Sequence, residues 1–189
     1  MTSQIGQLAI RNLANPAEKP LDLERLSYYY ESNTSPLNTP RSDEVLRTAV
    51  EDRNILVAEY EIGTEQRIVA ASAVFQHFDG KYLEVGATRV TANGFSLQGL
   101  LYSVAITQQA IFEAMACRTI YCTVLPSNSA SVYNIEKAGF ELWPQPPEEL
   151  LKKKIDDAAK AGRSAEVTFF RLPESALAGA AVNLSLIHI

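Results

Sequence analysis

Between Ile55 and Leu125 the spacing of the apolar residues changes twice, and this restricts the chain to few folds. Ile55–Ile62, Arg67–Phe78 and Lys81–Val90 carry strand signals, with Val69, Ala71, Ala73 and Phe75 expected on one face. Gly63-Thr64-Glu65-Gln66 and Asp79-Gly80 separate them as turns, so the three strands read as an antiparallel meander. The period then becomes helical. Leu97, Leu100, Leu101, Val104, Gln108, Ile111, Phe112 and Met115 share one stripe. Thr119–Leu125 is β-branched and aromatic again. A helix between two strands serves as a crossover, so Lys81–Val90 and Thr119–Leu125 are expected as parallel neighbours.

The flanks extend this pattern. Ile5–Leu13 reads as a first strand, closed off by Asn15, Pro16 and Pro20. Leu21–Glu31 is a helix, and Ser42 caps another with Asp43 and Glu44 in its first turn. The segment 32–40 between them is a loop. Ser129–Ala138 is a helix stopped by Gly139, whose missing side chain permits a left-handed backbone. Pro147–Ala161 is a charged helix, and Glu166–Arg171 a last strand. Residues 1–172 therefore read as one domain and 173–189 as an unstructured tail. Leu184-Ser185-Leu186-Ile187-His188-Ile189 matches one reading frame of a common sequencing adapter. We expect read-through there and leave the segment out of the fold.

Composition narrows the function classes. The net charge is −5, and Lys152-Lys153-Lys154 is the one cluster of basic residues. That run reads as a solvated helix face, and a nucleic-acid partner is disfavoured. No apolar stretch approaches the ~20 residues that span a bilayer, and Met1–Gln7 lacks a signal-peptide pattern. Cys117 and Cys122 have no metal-ligand spacing and read as reduced thiols. The expectation is a cytoplasmic protein without a membrane partner.

The order strand, glycine-containing turn, helix, strand, asparagine loop, helix and Gly-Phe resembles the GNAT superfamily of acyl-CoA-dependent N-acyltransferases. The resemblance rests best on residues 81–140, where Asn128 follows a strand and Glu136-Lys137-Ala138-Gly139-Phe140 closes the next helix. It implies an α/β (α+β) fold: a mixed, mostly antiparallel sheet with a central parallel strand pair and helices on both faces. It also implies acetyl-CoA, or another acyl-CoA, as co-substrate. The coenzyme residues carried over are Val90, Asn93, Gly94, Phe95, Ser96, Leu97 and Gln98 at the turn, with Asn128 and Ser131 beyond the next strand. Amide groups at a helix start favour a pyrophosphate. The turn departs from the family pattern at Asn93, Ser96 and Gln98, where the family prefers Arg or Gln, Gly, and Gly or Ala.

In the family the parallel strands splay, and the thioester lies in the gap against backbone amides. Here those would be near Gly86–Val90, with Gly86 suited to a bulge or a close approach. Glu84 is the candidate general base, with His77 as an assistant. The family's usual tyrosine acid is replaced by Ile135, so Tyr133, Tyr121 and Tyr102 are the remaining hydroxyl candidates. In Tyr28-Tyr29-Tyr30 one or two rings are expected in the core. The implied reaction is direct acyl transfer to a small-molecule or peptide amine. The alternatives are a non-catalytic acyl-CoA-binding or interaction module and a scaffold without coenzyme. Whether the chain is a monomer or a homodimer stays open.

Overall fold

The computed structural model describes residues 7–12, 20–33, 43–51, 54–62, 65–91, 119–160, 162 and 166–176. Their elements run β1 (Gln7–Asn12), α1 (Pro20–Ser32), α2 (Asp43–Glu51), β2 (Ile55–Ile62), β3 (Glu65–His77), β4 (Tyr82–Val90), β5 (Thr119–Val124), α3 (Ser129–Lys137), β6 (Glu141–Leu142), α4 (Glu148–Lys160) and β7 (Thr168–Arg171). The strands form one seven-stranded sheet in the order β1-β2-β3-β4-β5-β7-β6. All pairs are antiparallel except β4 and β5, the expected crossover pair. The helix proposed over Leu97–Met115, the Ser42 cap, Tyr102, Cys117 and the suspected adapter segment lie outside the described residues.

Alternation along the strands sorts side chains onto two covered faces. On one face, Leu26, Tyr29 and Tyr30 of α1 and Leu46, Ala49 and Val50 of α2 pack on Ile55, Val57, Ala71 and Ala73. Both helices bury a stripe at i, i+3 and i+4, the spacing that puts side chains on one side of a helix. The same face continues over the start of β4, β5 and β7, where Leu150 of α4 packs on Tyr82, Tyr121 and Phe169. The opposite face buries Leu56, Val74, Leu83, Val85, Ile120, Cys122 and Phe170 against Ile135 of α3.

Val69 departs from its expected neighbours. Ala58 pairs with Ala70 but Glu59 pairs with Ile68, so Val69 is an extra residue in β3. One inserted residue reverses the side-chain alternation. Val69 therefore packs with the α3 face, while Ala71, Ala73 and Phe75 lie with α1 and α2. At the β3–β4 turn, Phe78, Asp79 and Gly80 all take left-handed φ values of 53°, 53° and 79°. Lys81 N–H closes this turn by donating to the Phe78 carbonyl at 3.0 Å. The strand β6 has no strong sequence signal, since it is two residues long and exists by pairing with β7. Beyond β7, Glu174–Ala176 make a short helical turn, and Ala176 packs against the core.

An ionic cluster ties α1 to the first two strands. Arg11 contacts both oxygens of Asp22 at 3.0 Å and reaches Glu59 at 2.6 Å, while Arg25 reaches Glu59 at 2.8 Å. The two carboxylates are buried, and their hydrogen bonds hold the Arg11 guanidinium more firmly protonated than usual despite its own partial burial. Such a cluster offsets the desolvation of Asp22 and Glu59 only while its members remain together.

Candidate active site at the fork of the sheet

The parallel pair β4–β5 is short. It joins Tyr82 to Thr119, Leu83 to Ile120 and Glu84 to Tyr121, and among the described residues the two strands share no pairing beyond that point. β5 runs on to Val124 against β7, and β4 runs on to Val90 against β3. Glu84 thus stands at the apex of a fork.

A bulge bends β4 just past the apex. Gly86 pairs with Ala73 and Arg89 with Ala71, so Ala87 and Thr88 together face Ser72. The bulge expected at Gly86 falls one residue later, and its left-handed residue is Ala87, at φ 51°. An alanine there is strained by about 1 kcal/mol or more, because its Cβ crowds the following carbonyl. The strain is held by α1. Tyr30 donates its hydroxyl to the Ala87 carbonyl, and Tyr29 donates to the Arg89 carbonyl at 3.1 Å. This explains the tyrosine run: Tyr29 and Tyr30 are buried and satisfy the bulged edge, while Tyr28 is 70% exposed. Arg89 is also buried, with its ring contact on Tyr30 and its guanidinium donating to the Asn33 carbonyl at 2.8 Å.

Glu84 is 5% exposed and faces the layer that holds α1 and α4. Its side chain folds toward Gly86, where an added Cβ would sit 3.6 Å from Oε1. Four donors reach the carboxylate. Oε1 accepts from Lys154 Nζ at 2.5 Å and from Thr123 Oγ1 at 3.1 Å. Oε2 accepts from His77 Nε2 at 2.9 Å and from the Tyr121 hydroxyl at 3.3 Å. An ionised carboxylate has about four lone-pair positions, so these donors occupy the set. Burial by itself would raise the Glu84 pKa, but Lys154 and His77 hold it well below the usual carboxylate range. The ionised acceptor fixes the proton of His77 on Nε2. Burial and the Glu84 charge push the Tyr121 phenol far above its ordinary value, so it donates a hydrogen bond and does not ionise.

Lys154 is the residue that the sequence reading misses. The whole triplet Lys152-Lys153-Lys154 was expected on a solvated face, yet the Lys154 side chain is only 16% exposed. The available signal is its spacing: Lys154 lies four residues from both Leu150 and Ala158, the buried residues of α4. Lys153 makes an ordinary i, i+4 pair with Asp157. Thr123 is likewise recognisable only once β5 is placed beside Glu84.

The other nominated residues are dispersed. Tyr133 is 63% exposed on α3, with Lys137 Nζ 5.9 Å from its ring centroid, and it does not join the Glu84 cluster. Ile135, at the position where a tyrosine was sought, is buried in the core. Asn128 caps α3: its side-chain oxygen accepts from Ser131 N–H at 3.1 Å. Val90 ends β4 and is 37% exposed. Asn93, Gly94, Phe95, Ser96, Leu97 and Gln98 lie outside the described residues. Cys122 is a buried free thiol whose pKa is pushed up by burial, which removes it as a nucleophile. No helix among the described residues is long and apolar enough to cross a membrane.

No protein-family model matches the chain, and no curated protein matches it in sequence. Solved structures do match in shape. A subunit from the NatC complex bound to Gag peptide and CoA superposes with a TM-score of 0.62 at 16% identity, over 88% of this chain and 98% of that one. A GNAT-superfamily phosphinothricin acetyltransferase from Sinorhizobium meliloti, in complex with AcCoA, gives 0.59 at 16% identity over 88% of each chain. A GNAT-family acetyltransferase from Streptococcus pneumoniae gives 0.59 at 13% identity, over 87% of this chain and 97% of that one. At such identities the likeness is one of fold. With its forked parallel pair inside a mostly antiparallel sheet, this chain has the fold of the GNAT acetyltransferases.

Proposed function

We propose that the protein is an N-acyltransferase that moves an acetyl or other short acyl group from acyl-CoA to a primary amine. The observation that carries this is the fork. β4 leaves β5 after Glu84, bulges at Ala87, and has its Ala87 and Arg89 carbonyls occupied by tyrosine hydroxyls. In this reading backbone amides of β4 past the apex meet a ligand carbonyl, the preorganised arrangement that stabilises a developing oxyanion. Two of the similar structures contain CoA or AcCoA, which supports the same ligand here.

Acyl-CoA would supply the activated carbonyl. In this reading β4 near Gly86–Val90 orients the thioester, residues 93–98 hold the pyrophosphate, and Asn128 and Ser131 border the coenzyme. The acceptor enters from the α1 and α4 side, where Glu84, His77, Tyr121 and Lys154 lie. Calorimetric titration of acetyl-CoA tests this directly. Saturable binding is expected, weakened about tenfold or more by Ser96→Glu, since an added anion at a phosphate site opposes the ligand. Absence of heat with acetyl-CoA and with longer acyl-CoAs would sink the proposal.

A second reading, an acyl-CoA-binding module without turnover, is favoured by Ile135 being buried and Tyr133 facing solvent. Coenzyme binding with no thiol release across a broad amine panel would select it.

A further inference from the structure

Resting on the acyltransferase reading, we propose that the acceptor binds the fork as a neutral amine, so that the protein selects amines of low basicity, α-amino groups ahead of lysine side chains.

The argument starts from what surrounds Glu84. His77 approaches from β3, Tyr121 and Thr123 from β5, and Lys154 from α4. Asp157 of α4 acts on Tyr121 through space, and the Cys122 thiol lies in the core behind β5. Toward α1 the nearest charge on β4 is Arg89, which is committed to the Asn33 carbonyl and the Tyr30 ring. Among the described residues these give Glu84 the Lys154 ammonium and three further donors. An ammonium arriving at the apex would meet a carboxylate whose positions are filled and whose charge is already matched by Lys154. To gain Glu84 it would have to displace Lys154, leaving a largely buried ammonium unpaired. A neutral amine meets neither cost.

The chemistry balances without a carboxylate base. The amine nitrogen attacks the thioester carbon, the N–C bond forms, and the C–S bond breaks. The surplus nitrogen proton ends on the departing sulfur, directly or through water, since a thiol has a pKa of about 8.5. What limits the rate is then the neutral fraction of the acceptor. At pH 7.5 that fraction is about 200-fold larger for an α-amine, pKa near 8, than for a lysine side chain, pKa near 10.4.

The test uses the full chain and two short peptides, one with a free α-amine and no lysine, the other Nα-acetylated with one lysine. Acetyl-CoA binding is first confirmed by calorimetry, and thiol release is then followed from about pH 6.5 to 9. The α-amine peptide is expected to lead by about 100-fold or more in kcat/KM at pH 7.5, with the gap closing as pH rises. The α-amine profile should level off above about pH 8, that amine's own pKa, while the lysine profile should still be rising at about pH 9. Equal rates at pH 7.5, or a rise through one pH that is the same for both peptides, would overturn the inference by revealing an enzyme base. Lys154→Met gives an independent arm: freeing Glu84 should narrow the preference about tenfold, and an unchanged ratio in a folded variant also counts against it. Failure to bind acetyl-CoA would bring down the parent reading. Binding with neither peptide acylated would overturn only this inference.

Discussion

Replacing Lys154 with methionine keeps an unbranched apolar stem on α4 and removes the charge beside Glu84. The N···O separation of 2.5 Å corresponds to a gross attraction of about 7 kcal/mol at an effective dielectric of 20. Desolvation of both groups consumes most of this, as buried pairs generally show. Removing one member is different, because Glu84 would keep its burial and lose its counter-charge. Such losses run to about 3–5 kcal/mol. Three donors would remain on Glu84 and Lys154 is partly solvated, so we expect the low end, about 2–4 kcal/mol at pH 7. Urea unfolding measures this as a shift in midpoint. The pH dependence gives the second half of the test. The folded carboxyl of the natural protein titrates well below its ordinary 4.5, so its contribution is complete above that value and is lost as pH falls beneath it. Without Lys154 the folded pKa rises, burial being the main remaining cause, and less stability is lost on acidification. The difference between the two proteins should therefore shrink as the pH drops toward 4. Glu84→Gln with Lys154→Met, which removes both charges, should recover much of the loss. A cost under about 0.5 kcal/mol that does not change with pH would refute the argument, because it would mean that the pair is solvated.

Three further outcomes are open to measurement. Ala87→Gly should leave the fold unchanged and raise stability by about 0.5–1 kcal/mol, or Tm by a few degrees, because glycine accepts the φ of 51° without strain; Ala87→Val should lower it. Tyr30→Phe leaves the Ala87 carbonyl without its donor and should cost about 1–2 kcal/mol in urea unfolding. Asn128→Ala should cost about 1 kcal/mol through loss of the α3 cap, whereas Asn128→Asp or Ser should cost much less. An equal loss in all three Asn128 variants, paralleled by lost coenzyme affinity, would assign the residue to ligand binding first.

Local pattern made most of the architecture legible. β2, β4 and β5 are where alternation places them, α1 and α2 form helices where the sequence puts them, and Gly139 ends α3 with φ 93°. The parallel β4–β5 pair followed from the crossover rule alone. The failures share one cause. Val69 changes face because a bulge shifts the β2–β3 register, and no single-strand pattern records its partner's register. β6 is too short to have a period, and α4 looked like a solvated charged helix because the Lys152-Lys153-Lys154 run reads as one polar face.

The candidate site divides along the same line. Glu84, Gly86 and the tyrosine run could be picked out from the chain, since residue type and position on a strand carry that information. What they do depends on neighbours distant in sequence: Lys154 is 70 residues from Glu84, and Tyr30 is 57 from Ala87. The sequence by itself determined a GNAT-like order of elements and put a carboxylate on the strand that parts from its neighbour. Only the tertiary structure decided that this carboxylate is saturated with donors and neutralised by a helix expected to face water. The physical reason is that periodicity reports which side of an element is buried, while charge state and proton affinity are set by whatever the fold brings within hydrogen-bond reach.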